Sequence, residues 1–222
     1  MRPCYTFAVM PTSEAIPPTP RLATQFLRLA LRRAARGTGS QIQFYAQRTA
    51  MYQVPDLPSL LGTVGWVLVG GVALRAYMPE RATLDVDILI HERDAQAVQA
   101  AFLHAGYRCV GTLSIGGFTV VLGNEPPIDV LTRDDDWLEV AFAQPGRDHA
   151  GLPVLPRAYL ILMKLQAGRT QDLADIQRLL ALTSVAERGV VRGVIEHYSA
   201  ELLEDFDALI ILANLEFGSP LV

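Results

Sequence analysis

The chain has little cysteine, a single lysine and no long apolar run, and each shortage closes a class of explanation. Cys4 and Cys109 are its only cysteines in 222 residues. Two are too few for a disulfide framework or a zinc site, so a reducing cytoplasm is the expected setting. No apolar stretch approaches the length that spans a bilayer, and no membrane partner is expected. The run Cys4–Met10 behind Arg2 is short and lacks a cleavage signature, so it is not read as a signal peptide. Excess charge is lacking too. Nineteen basic side chains face 23 acidic ones, for a formal net charge of −4, which gives no whole-chain signature of nucleic-acid binding. What is present is apolar: 50% of the residues, against 19% charged. That balance makes a globular protein with a real core, long enough for one large or two small domains.

Charge is unevenly placed along the chain. Residues 1–20 carry Pro3, Pro11, Pro17, Pro18 and Pro20 and read as an irregular arm. Arg21–Arg36 is rich in helix formers, and Gly37 and Gly39 end it. No acidic residue lies between Glu14 and Asp56, while six arginines do. This basic segment, 21–48, has two readings: contact with a polyanion such as RNA, or a solvated helix face docked on the main domain.

Beyond it the hydrophobic patterning predicts a short helix over Leu57–Val64, a strand over Trp66–Val69 and a short helix over Val72–Tyr77. A strand over Leu84–Ile90 and a helix over Arg93–Ala105 follow. Tyr107–Thr112 and Phe118–Leu122 read as a hairpin turning at Gly116-Gly117, and Ile128–Leu131 as a third apolar strand. Arg133–Asp136 reads as a loop. Four helices are expected over Pro156–Ala167, Leu173–Leu182, Glu187–Tyr198 and Ala200–Glu216. The expected organisation is an arm and basic helix (1–56), a mixed α/β core (57–152) and a C-terminal helical region (153–222).

The most informative feature is a glycine pair ending one apolar run and two carboxylates inside the next. In Trp66-Val-Leu-Val-Gly70-Gly71 the glycines let the backbone turn tightly and approach a ligand. In Leu84-Asp85-Val-Asp87-Ile-Leu-Ile90 the two carboxylates, at i and i+2 of a strand, point to one face about 7 Å apart at Cα. Like charges held that close repel unless a cation lies between them, and Mg²⁺ takes oxygen ligands while sharing its shell with phosphates. Asp129, in the third apolar strand, adds a third carboxylate. Such a trio can hold two ions about 3.5–4 Å apart, and its third member can accept the proton of an attacking hydroxyl. The residues alone therefore suggest nucleotidyl transfer.

The pattern Gly70-Gly71-x-Ala73, then Arg81-x-Thr83-x-Asp85-x-Asp87, with Asp129 later, resembles the DNA polymerase β-like nucleotidyltransferase superfamily. It is most similar to the abortive-infection nucleotidyltransferases, the toxin side of bacterial toxin–antitoxin pairs. The likeness continues through Lys164, Arg169, Asp172 and Asp175 and covers about Leu57–Leu182. It implies a small mixed sheet with flanking helices, an α/β (α+β) fold, followed by a helical region. It also implies a nucleoside triphosphate (NTP) as substrate, two Mg²⁺ ions in the reacting complex, and RNA (a tRNA 3′ end) or a protein side chain as acceptor. A cognate antitoxin is the implied partner.

By that resemblance Gly70 and Gly71 cradle the β- and γ-phosphates, aided by the N-terminus of the helix that follows. Asp85 and Asp87 bind both ions and Asp129 completes the site. Lys164 and Arg169 neutralise the triphosphate, and Arg81 and Thr83 brace the turn before the carboxylates. Asp172 and Asp175, at i and i+3 of one helical face, orient Arg169 or Lys164. Leu84 stands where many superfamily members have Ser.

Plainer readings stand beside these. Lys164 could be the remnant of an arginine-favouring codon bias, and Asp172 a helix N-cap. Asp134–Asp136 reads as a solvated turn, and His91, His104, His149 and His197 show no metal-ligand spacing. Two rival functions remain open: transfer to a small molecule such as an aminoglycoside, which would need an acidic pocket to which Asp134–Asp136 could contribute, and a non-catalytic partner-binding module of the same fold.

Overall fold

The structure, a computed structural model, describes residues 55–79 and 85–218. Arg81, Thr83 and Leu84, the arm and the basic segment 21–48 lie outside them. In chain order the elements are α1 (Leu57–Leu61), β1 (Trp66–Val69), α2 (Gly70–Ala73, tightening to a 3₁₀ turn over Leu74–Ala76), β2 (Val86–His91) and α3 (Ala95–His104). The hairpin β3 (Arg108–Thr112) and β4 (Gly117–Val121) follows, then β5 (Ile128–Arg133), α4 (Leu138–Ala143), β6 (Gly146–Arg147) and β7 (Pro153–Val154). The chain closes with α5 (Arg157–Ala167), α6 (Thr170–Ala181), α7 (Val185–Tyr198) and α8 (Leu203–Phe217). This is a mixed α/β fold, as expected.

The seven strands of the described residues join one sheet in the order β3-β4-β5-β2-β1-β7-β6. β1 runs antiparallel to β2, while β2 and β5 are parallel. The β1 run Trp-Val-Leu-Val is buried throughout, as a strand covered on both faces must be, and its unbroken apolar pattern follows from that. In β2 every residue is buried except Asp87, and in the first four residues of β5 every one except Asp129. These central strands are thus dry apart from the two carboxylates, Asp87 and Asp129.

The helical half packs onto this sheet directly. β7 lies parallel to β1, the Leu155 N–H donates to the Leu68 carbonyl at 3.0 Å, and α5 starts two residues on. The Tyr77 hydroxyl donates to the Leu155 carbonyl at 2.9 Å, tying the end of α2 to the same junction. Leu160, Ile161, Leu162 and Leu165 bury one side of α5. α6 packs on α5 and α8, and α7 on α5. No helix among the described residues is long and apolar enough to cross a membrane.

Several boundaries differ from expectation, each for a local reason. Gly70 and Gly71 do not precede the helix but open it. β2 begins at Val86, leaving Asp85 at a bend before the strand. β5 runs on to Arg133, because parallel pairing with β2 continues to the His91–Arg133 pair. α4 and the two-residue ladder of β6 with β7 went unpredicted, since six and two residues are too short to establish a period. α7 starts at Val185, set by a capping box in which Ser184 Oγ accepts from the Glu187 N–H at 3.3 Å and Glu187 Oε2 from the Ser184 N–H at 2.9 Å.

Candidate active site

Sheet register builds the site. Asp87 pairs with Val69 on one side and with Asp129 on the other, and Asp129 pairs with Thr119 of β4. Asp85, from the bend before β2, joins them, and each of the three carboxylates offers an oxygen within 4.8 Å of the others. The i, i+2 strand argument therefore places Asp87 correctly but not Asp85, which converges from outside the pleat. Thr119 was not predicted. Its hydroxyl donates to Asp129 Oδ1 at 2.6 Å, fixing that carboxylate from the neighbouring strand. Only the register reveals the pairing, and a threonine in an alternating strand gives no separate signal.

Gly70 adopts φ +59, a left-handed conformation that glycine alone takes at little cost. A Cβ on Gly70 would overlap the Asp87 carboxylate. The backbone of α2 is thus pressed against the acid, and the Gly71 N–H donates a hydrogen bond to it. Gly70→Ala is expected to lower stability by about 2–3 kcal/mol, as overpacking adds to the left-handed strain. Because the substitution pushes Asp87 aside, activity should fall by about a hundredfold or more. Urea denaturation and initial rates on the same preparation check both.

Burial pushes the Asp87 carboxyl up to about 7, and the neighbouring charges of Asp85 and Asp129 add to that; the Gly71 hydrogen bond and Lys164 oppose it only in part. Three converging carboxylates, whose mutual charge adds to the raised pKa of Asp87, offer the hard oxygen donors that a divalent cation such as Mg²⁺ takes.

The opposite wall comes from α5 and α6. Lys164, 6% exposed, donates to Asp172 Oδ1 at 2.9 Å and to Asp175 Oδ2 at 3.0 Å. Asp172 and Asp175 are themselves buried, one helical turn apart on α6. Asp172 is no N-cap: that position is Arg169, and the Asp172 carboxylate instead bridges Lys164 and Arg169 Nε, the latter at 2.6 Å. Asp175 also accepts from Gln171 at 3.2 Å and from Arg178 at 3.4 Å. The Arg169 side chain is 69% exposed. Lys164 is thus a locked, charge-compensated cation, whereas Arg169 keeps its guanidinium tip at the surface.

Both walls enclose one cleft of about 700 Å³. Of the sequence-derived residues, Gly70, Gly71, Asp85, Asp87, Asp129, Lys164, Arg169 and Asp172 line it; Asp175 sits behind Lys164. Asp134, Asp135 and Asp136 do not line it, and Asp135 is ion-paired with Arg133.

No protein-family model and no curated protein matches the chain. Among solved structures it is similar to the antibiotic-resistance factor ANT(2'')-Ia in solution, at 15% identity over 66% of this chain and 92% of that one, TM-score 0.46. It is also similar to ANT(2'')-Ia in complex with adenylyl-2''-tobramycin, at 16% identity over 70% and 94%, TM-score 0.37. A third is terminal uridylyl transferase 4 from Trypanosoma brucei with bound GTP, at 10% identity over 74% and 57%, TM-score 0.29. With backbone agreement this low, the functional reading rests on the side chains of the cleft.

Proposed function

We propose that the protein is a nucleotidyltransferase that moves a nucleoside monophosphate from a nucleoside triphosphate to an acceptor hydroxyl and releases pyrophosphate. The observation that carries this reading is the convergence of Asp85, Asp87 and Asp129 at the Gly70–Gly71 backbone, in a cleft whose far wall holds Lys164 and Arg169. In the reaction the bond from the acceptor oxygen to the α-phosphorus forms as the bond from that phosphorus to the β-bridging oxygen breaks. Asp85, Asp87 and Asp129 would hold Mg²⁺, which supplies charge neutralisation at the attacking and leaving oxygens.

The remaining work falls to the chain's own groups. Thr119 fixes the Asp129 carboxylate through Oδ1, and its remaining lone pairs serve the metal and the proton of the attacking hydroxyl. The exposed guanidinium of Arg169 swings onto the triphosphate, while Lys164, held by Asp172 and Asp175, adds a fixed positive charge beside Asp87. A non-catalytic module would not need a carboxylate cluster kept intact at this electrostatic cost.

The finer reading is a toxin–antitoxin setting in the cytoplasm, with an acceptor reached through the basic segment 21–48 and a cognate antitoxin. It draws support from the sequence resemblance. Purified protein incubated with Mg²⁺ and an α-labelled triphosphate is expected to release pyrophosphate in step with label transfer, and chelation should stop both. Label transfer unaffected by a chelator would refute the mechanism.

A further inference from the structure

We infer that Arg133 is a specificity-determining residue, which selects triphosphates whose base carries a carbonyl (uracil, guanine) over those with an amino group there (cytosine, adenine). The inference rests on the reading above and names the triphosphate class for that same cleft. Lys164 and Arg169 act on Asp87, beside Gly70–Gly71, so the triphosphate takes that end. The nucleoside then lies over the remaining floor, which is one face of β5. Asp129, Leu131 and Arg133, at alternate positions of that strand, all line the cleft. Arg133 ends the floor about 13 Å from Asp129 at Cα, a span that a nucleoside and an arginine side chain together fill. Leu131, Leu160 and Met163 line the cleft as well, giving a flat ring apolar contact. The edge of the base farthest from the ribose therefore meets the guanidinium.

That guanidinium is held from two sides. Arg133 Nε and Nη2 donate to the Asp135 carboxylate, the latter at 3.0 Å, and Nη2 also donates to Gln166 Oε1 at 3.0 Å. Gln166 Nε2 in turn donates to Ser199 Oγ at 3.0 Å, and Ser199 is buried. A guanidinium can only donate, so it turns the Gln166 oxygen toward itself and the amide nitrogen toward Ser199. Asp135 and Gln166 are thus positioning residues, one from the loop after β5 and one from α5. Nη1 makes no hydrogen bond among the described residues, which leaves its N–H groups for a ligand.

The ion pair decides what those groups take. Asp135 already neutralises Arg133 through two parallel bonds, so Nη1 offers direction more than net charge, and a neutral carbonyl suits it better than a phosphate. Uracil and guanine present a carbonyl oxygen at the edge far from the ribose. Cytosine and adenine present an amino donor there, and N–H would face N–H.

Calorimetric titration of the full chain with each of the four ribonucleoside triphosphates, in Mg²⁺, tests this without any acceptor. UTP should bind about tenfold tighter than CTP, and GTP about tenfold tighter than ATP. Each pair is matched in size, so stacking does not separate its members. Arg133→Met should abolish both preferences and leave the affinity for inorganic tripolyphosphate unchanged. Gln166→Leu, which removes one anchor of Arg133, should weaken both preferences, and Gln166→Glu, which keeps an oxygen for Nη2, should retain them. If the melting curve shows that Arg133→Met does not fold, the Gln166 variants decide. Equal affinity within each pair, or preference for the amino-bearing member, overturns the inference and leaves the nucleotidyltransferase reading intact. A preference that survives loss of the guanidinium or of its anchor does the same. No Mg²⁺-dependent binding of any triphosphate overturns both.

Discussion

Asp87→Asn is expected to lower nucleotidyl transfer by about a thousandfold or more, because it removes the central charge of the carboxylate cluster while keeping its shape. The metal-free protein should not be destabilised by the change. Asp87 is crowded by Asp85 and Asp129 and by its own burial, so a neutral isostere relieves repulsion, and its side-chain oxygen can still accept the Gly71 N–H. Activity and stability should therefore move independently, which separates this prediction from simple unfolding.

The pH dependence has a definite sign. The folded carboxyl titrates near 7, against 3.8 for an unperturbed aspartate. Between those values the native state holds a proton that the unfolded chain has lost. Without metal, stability from this group is fully present at low pH and is lost as pH rises through about 7. Metal competes with that proton, so Mg²⁺ affinity should rise with pH and level off above the same point. Calorimetric titration in buffers of different ionisation enthalpy would detect proton release on Mg²⁺ binding below pH 7. Asp87→Asn should abolish the release. A release that persists in the variant would show that another group titrates.

Lys164→Met is expected to give the largest loss of stability, about 3–5 kcal/mol, because it strands two buried carboxylates. Asp172 and Asp175 are 2% and 0% exposed and take their bonds from Lys164 at 2.9 and 3.0 Å. Arg169 and Arg178 can compensate only from the rim of the cluster. Urea unfolding of a double-mutant cycle tests the pairing directly. Asp175→Asn should cost less in the Lys164→Met background than alone, with a coupling of about 1–3 kcal/mol. Additive effects would mean that the ammonium and the carboxylate act separately. The two substitutions also differ in what they spoil: Asp87→Asn impairs transfer in a stable protein, whereas Lys164→Met impairs the wall that carries Arg169.

The candidate site residues were legible because they violate their local pattern. A carboxylate in the middle of Val-Asp87-Ile-Leu-Ile or Ile-Asp129-Val-Leu stands out against a strand that is otherwise buried. A sole lysine stands out among eighteen arginines. Thr119 breaks no pattern, since a threonine in an alternating strand looks like any other, and its role comes from pairing ten residues away. Arg133 read as loop because the pairing that extends β5 involves a strand more than forty residues distant. The spacing of Asp172 and Asp175 put both on one helical face and the resemblance set them to orient Arg169 or Lys164; the structure brings Asp172 to both cations and Asp175 to Lys164.

Sequence by itself determined the α/β order of elements, the apolar core strands and the kinds of groups available for chemistry, because period and composition are local properties of the chain. Tertiary structure decided the rest. It set Asp85, Asp87 and Asp129 within 4.8 Å of one another, pressed Gly70 onto Asp87, enclosed Lys164 between two acids and kept Asp134–Asp136 out of the cleft. Each of these depends on sheet register or helix docking, which follow from burying apolar surface across the whole chain and not from any one segment.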